Sequence, residues 1–212
     1  MCGITGFLSY QFRGQDVKKS RHYVLKMAKQ LSHRGPDAFG EFCDKKAGVF
    51  LSHRRLAILD TSKRGAQPMH SSDGRLVLIF NGEIYNFKYL ARVLKNSGYQ
   101  FKGSSDSEVL LTAVQAWGIN KTLENIEGMF SFAIWDRKKK LLTLARDRIG
   151  EKPLYYGFQG ETFLFGSELK ALKVHPNWQN KISRDAIASF VYHNYVPSPY
   201  SIYEGIQKLI PG

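Results

Sequence analysis

The second residue of the chain is a cysteine. If Met1 is removed, Cys2 carries a thiol and a free α-amine on the same carbon atom. The ordinary pKa is about 7.7–8.0 for an α-amine and about 8.5 for a thiol, so part of the amine is neutral at pH 7. Cys2 is therefore a candidate nucleophile with a built-in general base. Position alone leaves two alternatives open, a small buried residue and a lipidation site.

An Asn-Gly pair, Asn81-Gly82, follows the apolar run at Leu76–Phe80. Asn-Gly between apolar segments is typical of a type I′ hairpin turn. The same pair places a side-chain amide next to a backbone N–H, and two such donors can bind a developing oxyanion. The local sequence leaves both interpretations open.

Two charged residues are candidates for binding a small zwitterion. Arg55 lies at the edge of an apolar run and could clamp a carboxylate, although a surface arginine at a strand end has the same pattern. Asp106 lies at the start of a predicted helix and could bind an ammonium group. An acidic residue in the first turn of a helix is more often a simple electrostatic match to the helix dipole. The charged segment 33–37 is, by itself, only a turn.

Apolar patterning predicts the elements that must position these residues. Strands are predicted at 3–8, 39–43, 48–53, 76–80, 130–135, 141–145, 154–158 and 162–166. Helices are predicted before Gly35 and at 86–94, 106–117, 168–173 and 184–193. The tail from residue 196 is expected to be irregular. Strands and helices occur in blocks rather than in strict alternation, which predicts a layered α+β domain.

The composition is that of a globular domain. The 212 residues are 43% hydrophobic, 23% charged and 13% aromatic, which excludes intrinsic disorder. The apolar runs are too short to cross a membrane. Two cysteines, Cys2 and Cys43, exclude a disulfide framework, and the N-terminus lacks a secretory signal. These features predict a cytoplasmic protein.

The net charge of +13 is the one unusual bulk property. It raises nucleic acid, an acidic partner domain or an anionic substrate as binding partners. The basic residues are dispersed rather than gathered in one tail, which favours a solvated basic surface. The sequence contains no Cys-x-x-Cys, His-Glu-x-x-His, phosphate-loop, dinucleotide or Gly-x-Ser-x-Gly motif, so no metal site is predicted.

Seven segments occur in an order that is specific as a set. They are Met1–Ile4, His33–Asp37, His53–Asp60, Asn81-Gly82-Glu83-Ile84-Tyr85-Asn86, Gly103–Glu108, Gly128–Phe130 and Arg146–Tyr156. This ordered set resembles the glutaminase domain of class II, N-terminal-nucleophile amidotransferases. Within that class it is most similar to the glutamine-hydrolysing asparagine synthetases.

The resemblance implies a fold and a set of residue roles. The fold would be a four-layer αββα sandwich, and the activity would be hydrolysis of glutamine through a thioester on Cys2. Asn81 and Gly82 would hold the oxyanion, and Arg55 would clamp the α-carboxylate of glutamine. The α-ammonium group would be bound by Glu83 and Asp106. The rest of the glutamine pocket would be lined by Leu56, Ala57, Ile58 and Leu59. The segment 33–37 would form a mobile loop near the site, with a structural role for Arg34.

The resemblance also implies a longer protein. A core at 2–195 would be followed by the start of a linker at 196–212, leading to a synthetase domain that is absent from this chain. ATP and Mg²⁺ are expected in that domain, and no cofactor is expected in this one. The expected partners are L-glutamine and the synthetase domain, with no nucleic acid and no membrane, and a homodimer stays open.

Two alternatives remain at this point. The ammonia acceptor could be aspartate, or a sugar or another acid. The chain could also be a basic, non-enzymatic binding module that kept the fold. The two classes differ in whether Cys2 must be free and N-terminal.

Overall fold

The computed structural model describes residues 1–12 and 17–212. The strands are β1 (Gly3–Ser9), β2 (Ala38–Asp44), β3 (Val49–Arg55), β4 (Met69–His70), β5 (Leu76–Ile84), β6 (Gly128–Asp136), β7 (Leu141–Arg146), β8 (Tyr155–Gln159), β9 (Thr162–Gly166) and β10 (Ile206–Lys208). The α-helices are α1 (Val17–Lys29), α2 (Phe87–Asn96), α3 (Asp106–Trp117), α4 (Ile119–Asn125), α5 (Leu169–Lys173) and α6 (Arg184–His193).

The strands form two antiparallel sheets. One has six strands in the order β10-β8-β9-β1-β3-β2, and the other has four in the order β4-β5-β6-β7. In the first sheet Ile4 pairs with His53, and in the second Asn81 pairs with Ser131.

The two sheets pack face to face because their strands alternate apolar side chains on the inner face. The inner core is formed by Ile4, Val49 and Leu51 of the six-stranded sheet and Val77, Ile79, Ala133 and Trp135 of the four-stranded sheet. The helices α1 and α5 cover the outer face of the six-stranded sheet, where Met27 and Leu172 meet Phe7 and Phe50. The helices α2 and α3 cover the outer face of the other sheet. The expected α+β fold with αββα layers is confirmed.

Three short elements and one extension were not predicted from the sequence. The strand β5 continues four residues beyond Phe80, and β4 and α4 lie in segments for which no element was predicted. The tail is not wholly irregular, because β10 pairs with β8 at the edge of the six-stranded sheet. The linker expected over 196–212 remains a prediction. No helix in the described part of the chain is long and apolar enough to cross a membrane.

Candidate active site

Strand alternation brings Cys2, which directly precedes β1, and Asn81 of β5 to one end of the inner core. Cys2 lies two residues before Ile4, and Asn81 lies two residues after Ile79. Since residues i and i+2 of a strand share a face, both side chains belong to the space between the sheets. A pocket of about 100 Å³ opens there and is lined by both residues.

The Cys2 thiol contacts the backbone of one residue. Its sulfur accepts a hydrogen bond from the Leu56 N–H at 3.4 Å and lies 3.6 Å from the Leu56 carbonyl oxygen, to which the thiol donates. Burial raises the pKa of Cys2, and the Leu56 contact and the Arg55 charge only partly oppose this effect. The resting thiol therefore keeps its proton and needs a base before it can act as a nucleophile.

Asn81 carries a buried amide with nothing bound to it. The residue is 1% exposed, and within the described residues neither its Nδ2 nor its Oδ1 has a hydrogen-bond partner. A buried polar group normally finds a partner, so this amide is available to a ligand. The turn interpretation is wrong, because Asn81 and Gly82 lie inside β5, opposite Ser131 and Phe130.

A backbone N–H of Gly82 lies beside that amide. Tyr85 directly follows β5, and its N–H donates to the carbonyl oxygen of Glu127, the residue directly before β6, at 2.7 Å. Backbone groups alternate along a strand, so the odd-numbered residues of β5 likewise direct their N–H and C=O groups toward β6. By alternation, the N–H groups of Phe80, Gly82 and Ile84 point to the opposite edge of β5, which borders the pocket.

The two flanking N–H groups on this edge are occupied. The Phe80 N–H donates to Gln67 Oε1 at 2.6 Å, and the Ile84 N–H donates to Asp106 Oδ2 at 3.0 Å. Strand β4 pairs only with earlier residues of β5, so it does not reach the Gly82 N–H between them. Gly82 therefore offers one open donor next to the Asn81 amide.

Glycine is required at position 82 by close packing. A Cβ atom there would lie 2.2 Å from the backbone oxygen of Met129 and 2.6 Å from the Cα of Phe130. Any larger residue would push β5 away from β6 and move the open N–H.

Arg55 is held in one orientation by backbone carbonyls. Its Nη1 donates to the Ser62 carbonyl oxygen at 2.9 Å, and its Nη2 donates to the Asp60 carbonyl oxygen. The Asp60 carboxylate in turn accepts the Ser62 N–H at 2.9 Å, which closes this turn. The guanidinium group borders the pocket and suits a carboxylate ligand.

Asp106 is a buried carboxylate that also lines the pocket. It is 5% exposed, and besides Ile84 it accepts the Ser107 N–H at 2.8 Å. Burial raises the pKa of Asp106 more than these two N–H groups lower it. A cation bound beside the Asp106 carboxylate would favour its charged form. Glu83 lines the same pocket.

The loop after Arg55 supplies part of the wall. Leu56, Ile58 and Leu59 line the pocket as expected, but Ala57 does not. The Ala57 N–H donates instead to Asp37 Oδ2 at 2.8 Å, which turns this residue away from the pocket. The expected contact of Ala57 with glutamine stays a prediction.

The loop that follows α1 supports the nucleophile. Arg34 Nε donates to the Cys2 carbonyl oxygen at 2.9 Å, and Arg34 Nη1 pairs with Glu168 at 2.9 Å. The Asp37 N–H donates to the Arg55 carbonyl oxygen at 3.1 Å. The loop expected to be mobile is thus hydrogen-bonded to Cys2, directly before β1, and to Arg55 of β3. The contacts of Arg34 fit the structural role expected for it.

Several pocket residues were missed by sequence reasoning. They include Gln67, Ser107, Met129 and Lys152. Gln67 lies outside the seven segments of the resemblance, whereas Ser107 and Met129 lie inside two of them but were given no role. Lys152 belongs to the Arg146–Tyr156 segment of the resemblance, where no role was assigned to it. Among the described residues, no group of three or more His, Cys, Asp and Glu side chains could hold a metal ion.

Comparison with known proteins gives a consistent result. The family model described as "Glutamine amidotransferase domain" matches residues 1–212. The chain is 35% identical over 214 residues to asparagine synthetase [glutamine-hydrolyzing] 3 of Bacillus subtilis, covering 100% of this chain and 34% of that protein. It is 42% identical over 179 residues to a probable asparagine synthetase [glutamine-hydrolyzing] of Schizosaccharomyces pombe, covering 83% of this chain and 30% of that protein.

The fold also matches a solved structure. Glutamine phosphoribosylpyrophosphate amidotransferase from B. subtilis, complexed with ADP and GMP, has a TM-score of 0.66 at 23% identity. The match covers 82% of this chain and 43% of that one. The chain spans about a third of the length of the two asparagine synthetases above.

Proposed function

This chain belongs to the glutamine amidotransferase domain family, and we propose that it hydrolyses L-glutamine to glutamate and ammonia through a thioester on Cys2. One observation carries the proposal. The buried, unpartnered amide of Asn81 and the open N–H of Gly82 border the same pocket as the Cys2 thiol. Two unused donors beside a nucleophile form an oxyanion hole.

The reaction uses the groups already described. After removal of Met1, the α-amine of Cys2 takes the thiol proton, and the sulfur attacks the side-chain amide carbon of glutamine. Asn81 Nδ2 and the Gly82 N–H stabilise the negative oxygen that forms. The C–N bond breaks, the proton on the α-amine passes to the leaving nitrogen, and ammonia departs. Water then attacks the thioester, which gives glutamate and restores the thiol.

The charged residues orient the substrate. Arg55 binds the α-carboxylate of glutamine with the guanidinium N–H groups that Asp60 and Ser62 do not use. Asp106 and Glu83 bind the α-ammonium group. Both contacts are remote from the scissile amide, so they contribute binding and orientation rather than bond-breaking.

The use of the ammonia is proposed from the relatives. Two relatives are named asparagine synthetases, and this chain spans only a third of their length. We infer that the ammonia passes to a cytoplasmic synthetase domain that uses ATP and Mg²⁺ to amidate aspartate. Whether the acceptor is instead a sugar or another acid is a question for experiment. The same holds for the formation of a homodimer.

The test measures glutamate release by protein from which Met1 has been removed. Cys2→Ala should reduce the rate to the background, while Cys43→Ala is the matched control. Cys43 is the other cysteine in the chain, and burial raises its pKa to about 11. It lies on β2 outside the pocket lining, so its removal should leave the rate unchanged.

Two results would overturn the proposal. The first is an equal rate of glutamate release from the Cys2→Ala variant and the unaltered chain. The second is no release from well-folded, Met1-free protein at any pH, which would favour the non-enzymatic binding module.

A further inference from the structure

The segment from Arg146 to Pro153 is a tightly bonded turn beside the pocket. The Asp147 carboxylate accepts the N–H groups of Gly150 at 2.6 Å, Glu151 at 2.9 Å and Lys152 at 3.1 Å. Arg146 Nε donates to the Lys152 carbonyl oxygen at 2.7 Å. These bonds fix the backbone of one residue, Lys152, at the pocket wall.

Lys152 is buried in the pocket lining without a counter-ion. It is 6% exposed, and no carboxylate forms an ion pair with it in the described part of the chain. Its Nζ lies 3.4 Å from Met1 Sδ, and Arg34 Nη2 lies 3.8 Å from the same sulfur. Burying an unpaired ammonium costs stability, so a purely structural role does not account for it.

The contact with Met1 has a consequence for the processed protein. Removal of Met1 takes away the sulfur beside Lys152 and creates an α-amine on Cys2, which lines the same pocket as Lys152. We propose that the Lys152 ammonium then acts as a positioning charge that keeps the Cys2 α-amine unprotonated, so that the amine is ready to accept the thiol proton. This inference rests on the proposed function.

Other charged residues bond to Cys2, line its pocket or pair with a residue that bonds to Cys2. They come from the loop after α1, from β3, β5 and α3, and from the residue before α5. They are Arg34, Arg55, Glu83, Asp106 and Glu168.

In the substrate complex both arginines of this set have a carboxylate partner. Arg34 is paired with Glu168 at 2.9 Å. Bound glutamine places its carboxylate on Arg55 and its ammonium group on Glu83 and Asp106. Among the three described cations Arg34, Arg55 and Lys152, only Lys152 then lacks a carboxylate partner, and it disfavours a second positive charge nearby.

The test is the pH dependence of kcat, which reports the ionisations of the substrate complex. In Met1-free protein, Lys152→Met should move the acidic limb of the profile up by about half to one pH unit. At pH 7 kcat should fall about 3- to 10-fold, and near pH 9 it should return toward that of the unaltered enzyme. Lys152→Arg, which keeps the charge, should restore the original limb.

The controls separate this inference from a structural role and from the function itself. Lys139→Met removes an exposed lysine from the β6–β7 turn and should leave the profile unchanged. Lys152→Gln repeats the test if the methionine variant does not fold. A uniform loss of kcat at every pH, or an unmoved acidic limb, would overturn the role of Lys152. Absence of glutamate release from the unaltered enzyme would instead overturn the proposed function.

Discussion

Cys2 and Leu56 contact each other in the pocket wall, with 3.4 Å between the sulfur and the Leu56 backbone nitrogen. Leu56 directly follows Arg55, whose guanidinium is fixed by the carbonyls of the next turn. The nucleophile is therefore bonded to the same short loop that carries the proposed carboxylate clamp. This connection sets the distance between the reacting sulfur and the α-carboxylate end of the substrate.

Retention of Met1 should abolish glutamine hydrolysis. An amide nitrogen at Cys2 cannot accept the thiol proton, and the Met1 side chain itself lines the pocket. The measurement compares glutamate release by processed and unprocessed protein, with the state of residue 1 determined by mass spectrometry. Full activity with Met1 in place would exclude the α-amine as the base.

Asn81→Ala should lower kcat by about 10²- to 10³-fold, equivalent to about 2.7–4 kcal/mol, with a much smaller effect on KM. The free energy of unfolding should hardly fall, because the Asn81 amide has no hydrogen-bond partner to lose among the described residues. Asn86→Ala is the matched control, since Asn86 Nδ2 donates to the Asn125 carbonyl oxygen at 2.9 Å. The control should lose stability and keep its kcat per folded molecule. The reverse pattern would contradict the oxyanion role.

Arg55→Ala should raise the KM for glutamine at least about 10-fold, because a charge-assisted hydrogen bond contributes about 1.5–3 kcal/mol. Arg55→Lys should recover only part of this loss, since an ammonium group cannot make the planar two-pronged contact. Arg54→Lys serves as the control, because Arg54 donates to the Ala28 carbonyl oxygen on the other face of β3. Steady-state kinetics that show an unchanged KM in Arg55→Ala would exclude the clamp.

Asp106→Asn should raise the KM for glutamine and weaken discrimination against analogues that lack the α-amine. The charge that faces the substrate ammonium is lost, while an amide oxygen can still accept the Ile84 N–H. Glu108→Gln is the control, because it removes a carboxylate from the same first turn of α3 but outside the pocket lining. Equal KM values for both variants would show that Asp106 acts only as a favourable charge in the first turn of α3.

Protein stability should fall as the pH decreases from about 6.5 to 4. Burial lowers the pKa of His53 from 6.5 to about 4, and that of His175 likewise. Between these values the unfolded chain binds protons that the folded chain does not, so protonation favours unfolding. For His53 the loss amounts to at most about 3 kcal/mol.

The test of this prediction is His53→Gln, which keeps a donor for the Phe80 carbonyl oxygen that His53 Nε2 contacts at 3.0 Å. Urea unfolding at pH 7, 5.5 and 4.5 should show a smaller loss of stability in the variant than in the unaltered chain. The pKa of Glu168 is lowered to about 2. Its effect on the pH dependence of stability therefore falls below pH 4.5, outside the pH range in which His53 acts. Identical pH dependence of the two proteins would contradict a neutral buried His53.

The sequence by itself determined the layers of the fold. Runs such as Val49–Leu51 and Leu76–Phe80 carry their own strand signal, and the segment 106–117 has a helical face and a capping serine, Ser105. These signals are local, because they depend on side-chain periodicity within a few residues. The short elements β4, α4 and β10 carry no periodic signal, and pairing or packing alone defines them.

Some residues of the candidate site could be identified from the sequence. Cys2, Arg55 and Asp106 were found from residue type and from the resemblance, and the structure places them around one pocket. For Asn81-Gly82 the local sequence favoured a turn, because Asn-Gly pairs usually form one. Pairing with β6 keeps the segment in a strand instead, and this pairing is a tertiary contact.

Only the tertiary structure decided which donors remain free and which charges remain unpaired. The Gly82 N–H is open because Gln67 and Asp106 occupy its neighbours, from segments 15 residues before and 24 residues after Gly82 in the chain. Lys152 reaches the pocket because Asp147 binds the turn that carries it. Hydrogen-bond occupancy and charge pairing depend on which distant groups meet in space, and that information is not contained in the spacing of residues along the chain.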